Sequence, residues 1–418
     1  MLSEAETEKL QEAAGLLLDA EDRLPVLRTV AWDRSLAEAF FANGETEPPQ
    51  PVYEKIETAP VLERVFAARA LISGSSPVHA WLTRTADIVE ETAALLSCVG
   101  TAEFHGHSRA LYGSPTSPIA DGKTTALDLA DRLDALLSDF DYGGAKLEAP
   151  ARLSAEELKL VLEAALPEHF GDEAPRIEVT NDVSAKAAAG KDYIKLRADA
   201  SFSDLDADQL LQHEALIHIA TGKNGRAQNR FPILAESHPG NARTQEGLAV
   251  FAEFISGSLD PRRFKRLADR VIAIQLAAEG ADFVDLYRFF RERSAADAPF
   301  EAFESARRVV RGGLTTGGAP FTKDSVYLGG LIEVHSYLRT AVRAGEADFI
   351  RLLFVGKIDL EDLSAIKMLR DENLIAEPRF LPPWAKDLRY LLAYLAYSTF
   401  LNQIDLSGVA ARYDDLFN

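Results

Sequence analysis

The chain has 418 residues, 47% hydrophobic and 26% charged, enough apolar material to bury a sizeable core in two or three lobes. Its 45 Lys and Arg against 65 Asp and Glu leave a net charge of −20, which opposes nucleic acid and anionic membrane surfaces as partners because each would add repulsion to desolvation. The single cysteine, Cys98, excludes an intramolecular disulfide and a cysteine-based zinc site, and without a basic-then-apolar leader or ~18 uninterrupted apolar residues a cytoplasmic protein is expected.

Residues 5 to 22 and 24 to 42 carry helical periodicity. Pro48-Pro49-Gln50-Pro51 then imposes an extended linker, because successive prolines fix φ and lack a donor. The helical pattern returns from Val61 to Ile72 and from Val78 to Cys98, with Cys98 expected to pack in the core. His105-Gly106-His107 has the form of a metal pair, but no third ligand flanks it, so loop or cap histidines are the plainer reading. Tyr112-Gly113-Ser114-Pro115-Thr116-Ser117-Pro118 follows a short helix and reads as a rigid connector, with Tyr112 a candidate to reach a neighbouring site. After an acidic helix from Thr124 to Phe140, Gly143-Gly144 and Pro150 mark the expected boundary between an N-terminal helical lobe, 1–145, and a core, 146–300.

A helix is expected from Ala155 to Leu166. Arg176-Ile177-Glu178-Val179 and Tyr193-Ile194-Lys195-Leu196-Arg197 alternate in polarity on either side of Gly190, which predicts two strands joined by a loop. An edge strand here, with Tyr193, Lys195 and Arg197 on one face, would suit pairing with extended substrate backbone; a solvent-facing strand is the plainer alternative.

Gln212-His213-Glu214-Ala215-Leu216-Ile217-His218 follows. Asp206 can serve as N-cap to a helix from about 207 to 220, ending near Gly222. Histidines five apart stand roughly 140° apart on an α-helix, against about 40° for the i, i+4 spacing of familiar zinc proteases. One wider turn with i to i+5 hydrogen bonds would close that angle to roughly 50°, so a π-bulge or local unwinding is predicted between Glu214 and His218. Asn241 or Thr244 can open a second helix, placing Glu246 in its first turn and Glu246, Val250 and Glu253 on one face. Two imidazoles and a carboxylate from the following helix form the donor set of His₂Glu zinc sites, which keep one position for water. His213, His218 and Glu246 are therefore the expected Zn²⁺ ligands. Glu214, beside a ligand but directed off the metal, is the expected general base. Gly247 would let these two helices approach closely.

Taken together, His213-Glu214-x-x-x-His218, Asn224-Gly225, Gln245-Glu246-Gly247-Leu248-Ala249, Leu111-Tyr112-Gly113-Ser114-Pro115 and Phe321-Thr322-Lys323-Asp324 with Tyr327 resemble the QEGLA-motif proteins. That family of zinc peptidase-like proteins includes the microtubule-associated tyrosine carboxypeptidase, and the resemblance spans most of the chain. It implies the same three zinc ligands, Glu214 as catalytic acid/base, and removal of a C-terminal tyrosine or similar bulky residue from a peptide or protein. Tubulin itself is not the expected substrate, because its acidic tails need a basic docking segment and this chain carries −20 and begins with Glu4, Glu6 and Glu8.

A carboxypeptidase must also hold a free carboxylate, most simply with a fixed cation near the metal. Arg197, Arg243 and Lys323 are the candidates, each with a surface charge or salt bridge as the plainer alternative. Tyr327 and His335 are candidates to donate to the tetrahedral oxyanion, His335 against the alternative of helix packing. From Pro261 onward helix follows helix, clearest at Ala268 to Ala278, Phe283 to Arg293, Phe300 to Arg311, Val326 to Val342 and Tyr390 to Leu401. The glycine-rich break from Gly312 to Pro320 reads as a cleft wall or a plain loop, and residues 301–418 are expected to complete the cleft. The expected fold is α+β, mostly α, with a zincin-like core around a small sheet and helical lobes on both sides. An endopeptidase or aminopeptidase using the same metal, or a non-catalytic regulator with a structural metal, are the alternatives.

Overall fold

A computed structural model describes residues 2–138, 152–183, 186–294 and 298–401, with 403, 405, 407 and 412. The chain is α+β and mostly helical, with a three-stranded sheet. Gly143-Gly144 and Pro150, the expected lobe boundary, lie outside the described residues.

Local signals explain most of the helices. Ser3 and Glu6 form a reciprocal capping box that opens Glu4–Glu21, satisfying amide groups that the first turn leaves bare. The second expected N-terminal helix is instead two, Val26–Thr29 and Ser35–Ala42. Pro77–Ser97 is the long amphipathic helix, followed by Glu103–Tyr112, which carries His105 and His107 in helix rather than in a loop. His105 Nδ1 lies 2.9 Å from the Pro320 carbonyl and His107 Nδ1 lies 2.8 Å from Glu91, so each ring has a partner.

Three apolar clusters build the interior. The largest joins Leu10, Leu17, Val65, Leu82 and Phe104 from N-terminal helices to Leu248, Phe251, Leu328, Leu338, Phe354 and Leu391, so elements from both ends of the chain close on one helix, Pro239–Ser256. A second cluster packs Leu158, Leu162 and Leu166 of Ala155–Phe170 against Ile177, Ile194 and Leu196 of the sheet and against Ala215, Leu216 and Ile219. The third lies among Ser35–Ala42, Pro261–Ala278, Phe283–Arg293 and Pro299–Val310, around Phe40, Phe283, Tyr287 and Phe303.

The sheet corrects the two-strand expectation. Strands β1 (Arg176–Thr180), β2 (Ala187–Ala189) and β3 (Tyr193–Arg197) are ordered β1-β3-β2, with β1 parallel and β2 antiparallel to β3. The Tyr193 strand is therefore central, and β1 and β2 are the edges. Three consecutive alanines have little intrinsic strand preference and show no alternation, so β2 gives no signal in the sequence. The Gly190 amide donates to the Tyr193 carbonyl and the Arg197 amide to the Lys186 carbonyl. By the two-residue period of a strand, the backbone groups of Ala187 and Ala189 then face away from β3.

Candidate active site

The histidine segment starts with a capping box between Ser203 and Asp206, so Ser203 is the N-cap and Asp206 its N3 partner. It runs as α-helix over Asp204–Leu210, π-helix over Leu211–Ile219 and α-helix again over Ala220–Arg226, passing Gly222 without ending there. The wide turn predicted from the five-residue histidine spacing is present. It brings the two imidazoles to 4.8 Å between ring centres, nearly perpendicular at 79°.

Pro239–Ser256 opens with Asn241 Oδ1 accepting the His238 amide at 3.1 Å, and it stops at Gly257 in the left-handed conformation. Glu246 is thus in the third turn, not the first. Gly247 serves a different neighbour from the one expected: a Cβ there would fall inside the Gly330 carbonyl group, so it permits close approach of Val326–Ala344. The histidine segment is instead tied to the Glu246 helix by Thr221, whose hydroxyl donates to Gln245 Oε1 at 2.9 Å.

Across that junction, Glu246 Oε2 stands 3.4 Å from His213 Nε2 and 3.5 Å from His218 Nε2. One donor atom from each residue lies within 4.8 Å of the others. The Oε2 atom is buried and has no hydrogen-bond partner, a costly condition for a carboxylate oxygen unless a cation meets it. Burial would raise the Glu246 pKa, yet Lys323 first, and then the two imidazoles, hold it well below the carboxylate range. Burial would likewise lower His213, but Glu246 and Glu253 raise it well above the ordinary imidazole value. The pull on a proton here is also a pull on a metal cation.

Two of these three side chains, His213 and Glu246, are held from behind. His213 Nδ1 contacts the fully buried Glu253 Oε1 at 2.6 Å, and Arg263 clamps both Glu253 oxygens at 3.1 Å. This leaves His213 Nε2 to face Glu246, the orientation that a carboxylate behind a metal-ligating imidazole provides. Lys323 Nζ lies 3.1 Å from Glu246 Oε1, opposite the bare Oε2, and 5.1 Å from the Tyr327 ring centre. Glu214 is directed away from this group, its Oε2 accepting the Ala189 amide of β2 at 3.2 Å.

The remaining sequence candidates are dispersed. Arg243 donates to Glu333 at 2.9 Å and to the Tyr112 carbonyl at 2.8 Å, and Arg197 is paired with Asp199 at 2.7 Å. His335 packs on Phe251 with ring centres 6.0 Å apart. Tyr112 is buried edge-on against Phe321. The Asn224 amide donates to the Phe354 and Phe380 carbonyls and accepts from the Arg379 and Phe380 amides, so that motif clasps the histidine segment to the C-terminal region. Asp324 pairs with Arg308 through both oxygens rather than with Lys323. Arg263, Arg270 and Arg308 escaped sequence reasoning. Arg263 and Arg270 are seven apart on one amphipathic helix, but nothing in that pattern says which neighbour their face meets.

Two neutral nitrogens and one carboxylate oxygen, with a buried oxygen lacking any partner, fit Zn²⁺ by donor chemistry. Among curated proteins, none matches the chain. Compared with protein families, residues 38–403 match the model described as microtubule-associated tyrosine carboxypeptidase. That match covers most of its length, and the chain belongs to the microtubule-associated tyrosine carboxypeptidase family.

Proposed function

We propose that the chain is a zinc metallocarboxypeptidase that hydrolyses the last peptide bond of peptides or proteins and releases tyrosine or another bulky residue. The observation that carries this reading is the convergence of His213, His218 and Glu246 beside Glu214, which itself abuts the sheet edge. A zincin-like core, with a metal-holding helix under a small sheet, is part of the proposal.

Zinc held by His213, His218 and Glu246 would supply a Lewis acid and lower the pKa of a water. Glu214 takes the proton from the attacking water and returns it to the departing amine, which needs a carboxylate off the metal but within reach of the scissile bond. The outward backbone groups of β2 that Glu214 leaves free align an extended substrate next to it. Glu253 and Arg263 keep the His213 ring oriented, and Lys323 restrains Glu246. The family's description names microtubules, but a net charge of −20 weighs against an acidic tubulin tail as this chain's partner.

Digestion of a free-acid peptide library, read by mass spectrometry, tests the reading. Zinc-loaded protein is expected to remove one C-terminal residue, and chelation to stop it. Glu214→Gln should lose ~10²–10⁴-fold in turnover while retaining its zinc. Internal cleavage, or full activity in Glu214→Gln, would overturn the assignment.

A further inference from the structure

Behind the metal ligands the positive charges outnumber the groups that neutralise them. Asp324 is buried and already has a bidentate partner, because Arg308 Nε and Nη2 donate to its two oxygens at 2.7 and 2.8 Å. Arg270 reaches only to 3.8 Å from Asp324, too far for a hydrogen bond, and its guanidinium carbon lies 5.9 Å from the Tyr327 ring centre. Glu246 is engaged by Lys323 on one oxygen and faces the two imidazoles with the other. Three cations, Arg270, Arg308 and Lys323, thus share two carboxylates, before any metal adds its own charge.

Exposure separates these cations from the acid they share. The side chains of Arg270, Arg308 and Lys323 are 19%, 20% and 12% exposed, close to the 15% of Glu246 and 17% of His218, whereas Asp324 and Glu253 are 2% and 0%. The three cations, His218 and Glu246 keep some solvent access, whereas Asp324, Glu253 and His213 are closed off. A guanidinium that merely neutralised Asp324 would duplicate what Arg308 already does. Burial, and then the neighbouring Arg308, push the Arg270 pKa down to about 10, in keeping with a cation whose charge is incompletely met.

We propose that Arg270 binds the α-carboxylate of the residue being released, its planar fork donating two parallel hydrogen bonds to the two oxygens. Tyr327 connects the positions: its ring centre lies 5.1 Å from Lys323 Nζ, which contacts Glu246, and 5.9 Å from the Arg270 guanidinium carbon. A carboxylate held there fixes the substrate terminus one step beyond the metal ligands, which selects the last peptide bond over internal ones. Of the cations named from sequence, Arg243 and Arg197 have carboxylate partners of their own, and Lys323 is committed to Glu246.

The assignment rests on the carboxypeptidase reading, and the test separates the two. A peptide ending in tyrosine is assayed as free acid and as C-terminal amide, with wild type, Arg270→Lys and Arg270→Ala. Wild type is expected to prefer the free acid. Arg270→Ala should raise KM for the free acid by ~10–100-fold, the worth of a charge-assisted hydrogen-bonded pair, and narrow the gap to the amide. Added guanidinium chloride should restore part of the loss, which a purely structural role would not allow. Arg270→Lys keeps the charge without the fork and is expected to fall between the two, and it serves if the alanine variant does not fold. A folded, zinc-containing variant with unchanged KM and free-acid preference would overturn the role of Arg270 alone. Absence of release by wild type from either peptide would overturn the carboxypeptidase reading and this role with it.

Discussion

Glu253 is fully buried, yet burial does not neutralise it: Arg263 and His213 outweigh the desolvation and hold its pKa at about 2. In the metal-free protein this carboxylate stabilises the fold above its unfolded pKa of ~4.5, and the contribution is lost as pH falls toward 2, because the unfolded chain then binds more protons. Glu253→Gln should therefore flatten the acid limb of a stability-versus-pH curve between about 4.5 and 2. The same substitution should weaken zinc binding ~10–100-fold by releasing the His213 ring. Unchanged zinc affinity in a folded variant would remove Glu253 from the site. At this scale the sequence was partly legible. Glu253 shares a helix face with Glu246 by its spacing of seven, whereas Arg270 and Arg308 meet only through tertiary packing, which no local pattern records.

Two elements determine whether the ligands meet. The π-helix over Leu211–Ile219 is readable in advance because a five-residue histidine spacing is useless for one metal on a regular α-helix. Helix starts were less legible: Ser203 and His238 begin their helices several residues before the apolar periodicity makes them evident. β2 was invisible because an alanine triplet carries neither β-branching nor alternation, although it supplies the amide that meets Glu214. The Glu246 helix depends on the glycine contact with Val326–Ala344. Gly247→Ala should cost at least ~1–3 kcal/mol by overpacking, measured by urea unfolding. Gly106→Ala, on a helix face with nothing near its added methyl, should instead stabilise by ~0.5–1 kcal/mol. Equal responses from the two variants would contradict the close-packing role of Gly247.

For the whole molecule, the sequence established that an acidic chain rich in helix could build a large core, but not how its parts would be distributed. The main apolar cluster draws on residues from Leu10 to Leu395, so both ends of the chain support the Glu246 helix, an arrangement set by long-range contacts rather than by local signals. Against a net charge of −20, Arg263, Arg270, Arg308 and Lys323 gather around three carboxylates, Glu246, Glu253 and Asp324. Bulk composition therefore sets the long-range field that an approaching partner meets, but not the charge that a substrate terminus meets inside the cleft. The proposed activity requires His213, His218 and Glu246 to act as one metal centre. Equilibrium dialysis against zinc, comparing wild type with His218→Ala, Glu246→Gln and Glu214→Gln, tests this most directly. The expected result is one zinc per wild-type chain, unaltered in Glu214→Gln, with losses in the two ligand variants exceeding the ~10–100-fold that outer partners cost. No zinc on the wild type, or wild-type affinity in folded His218→Ala and Glu246→Gln, would contradict it.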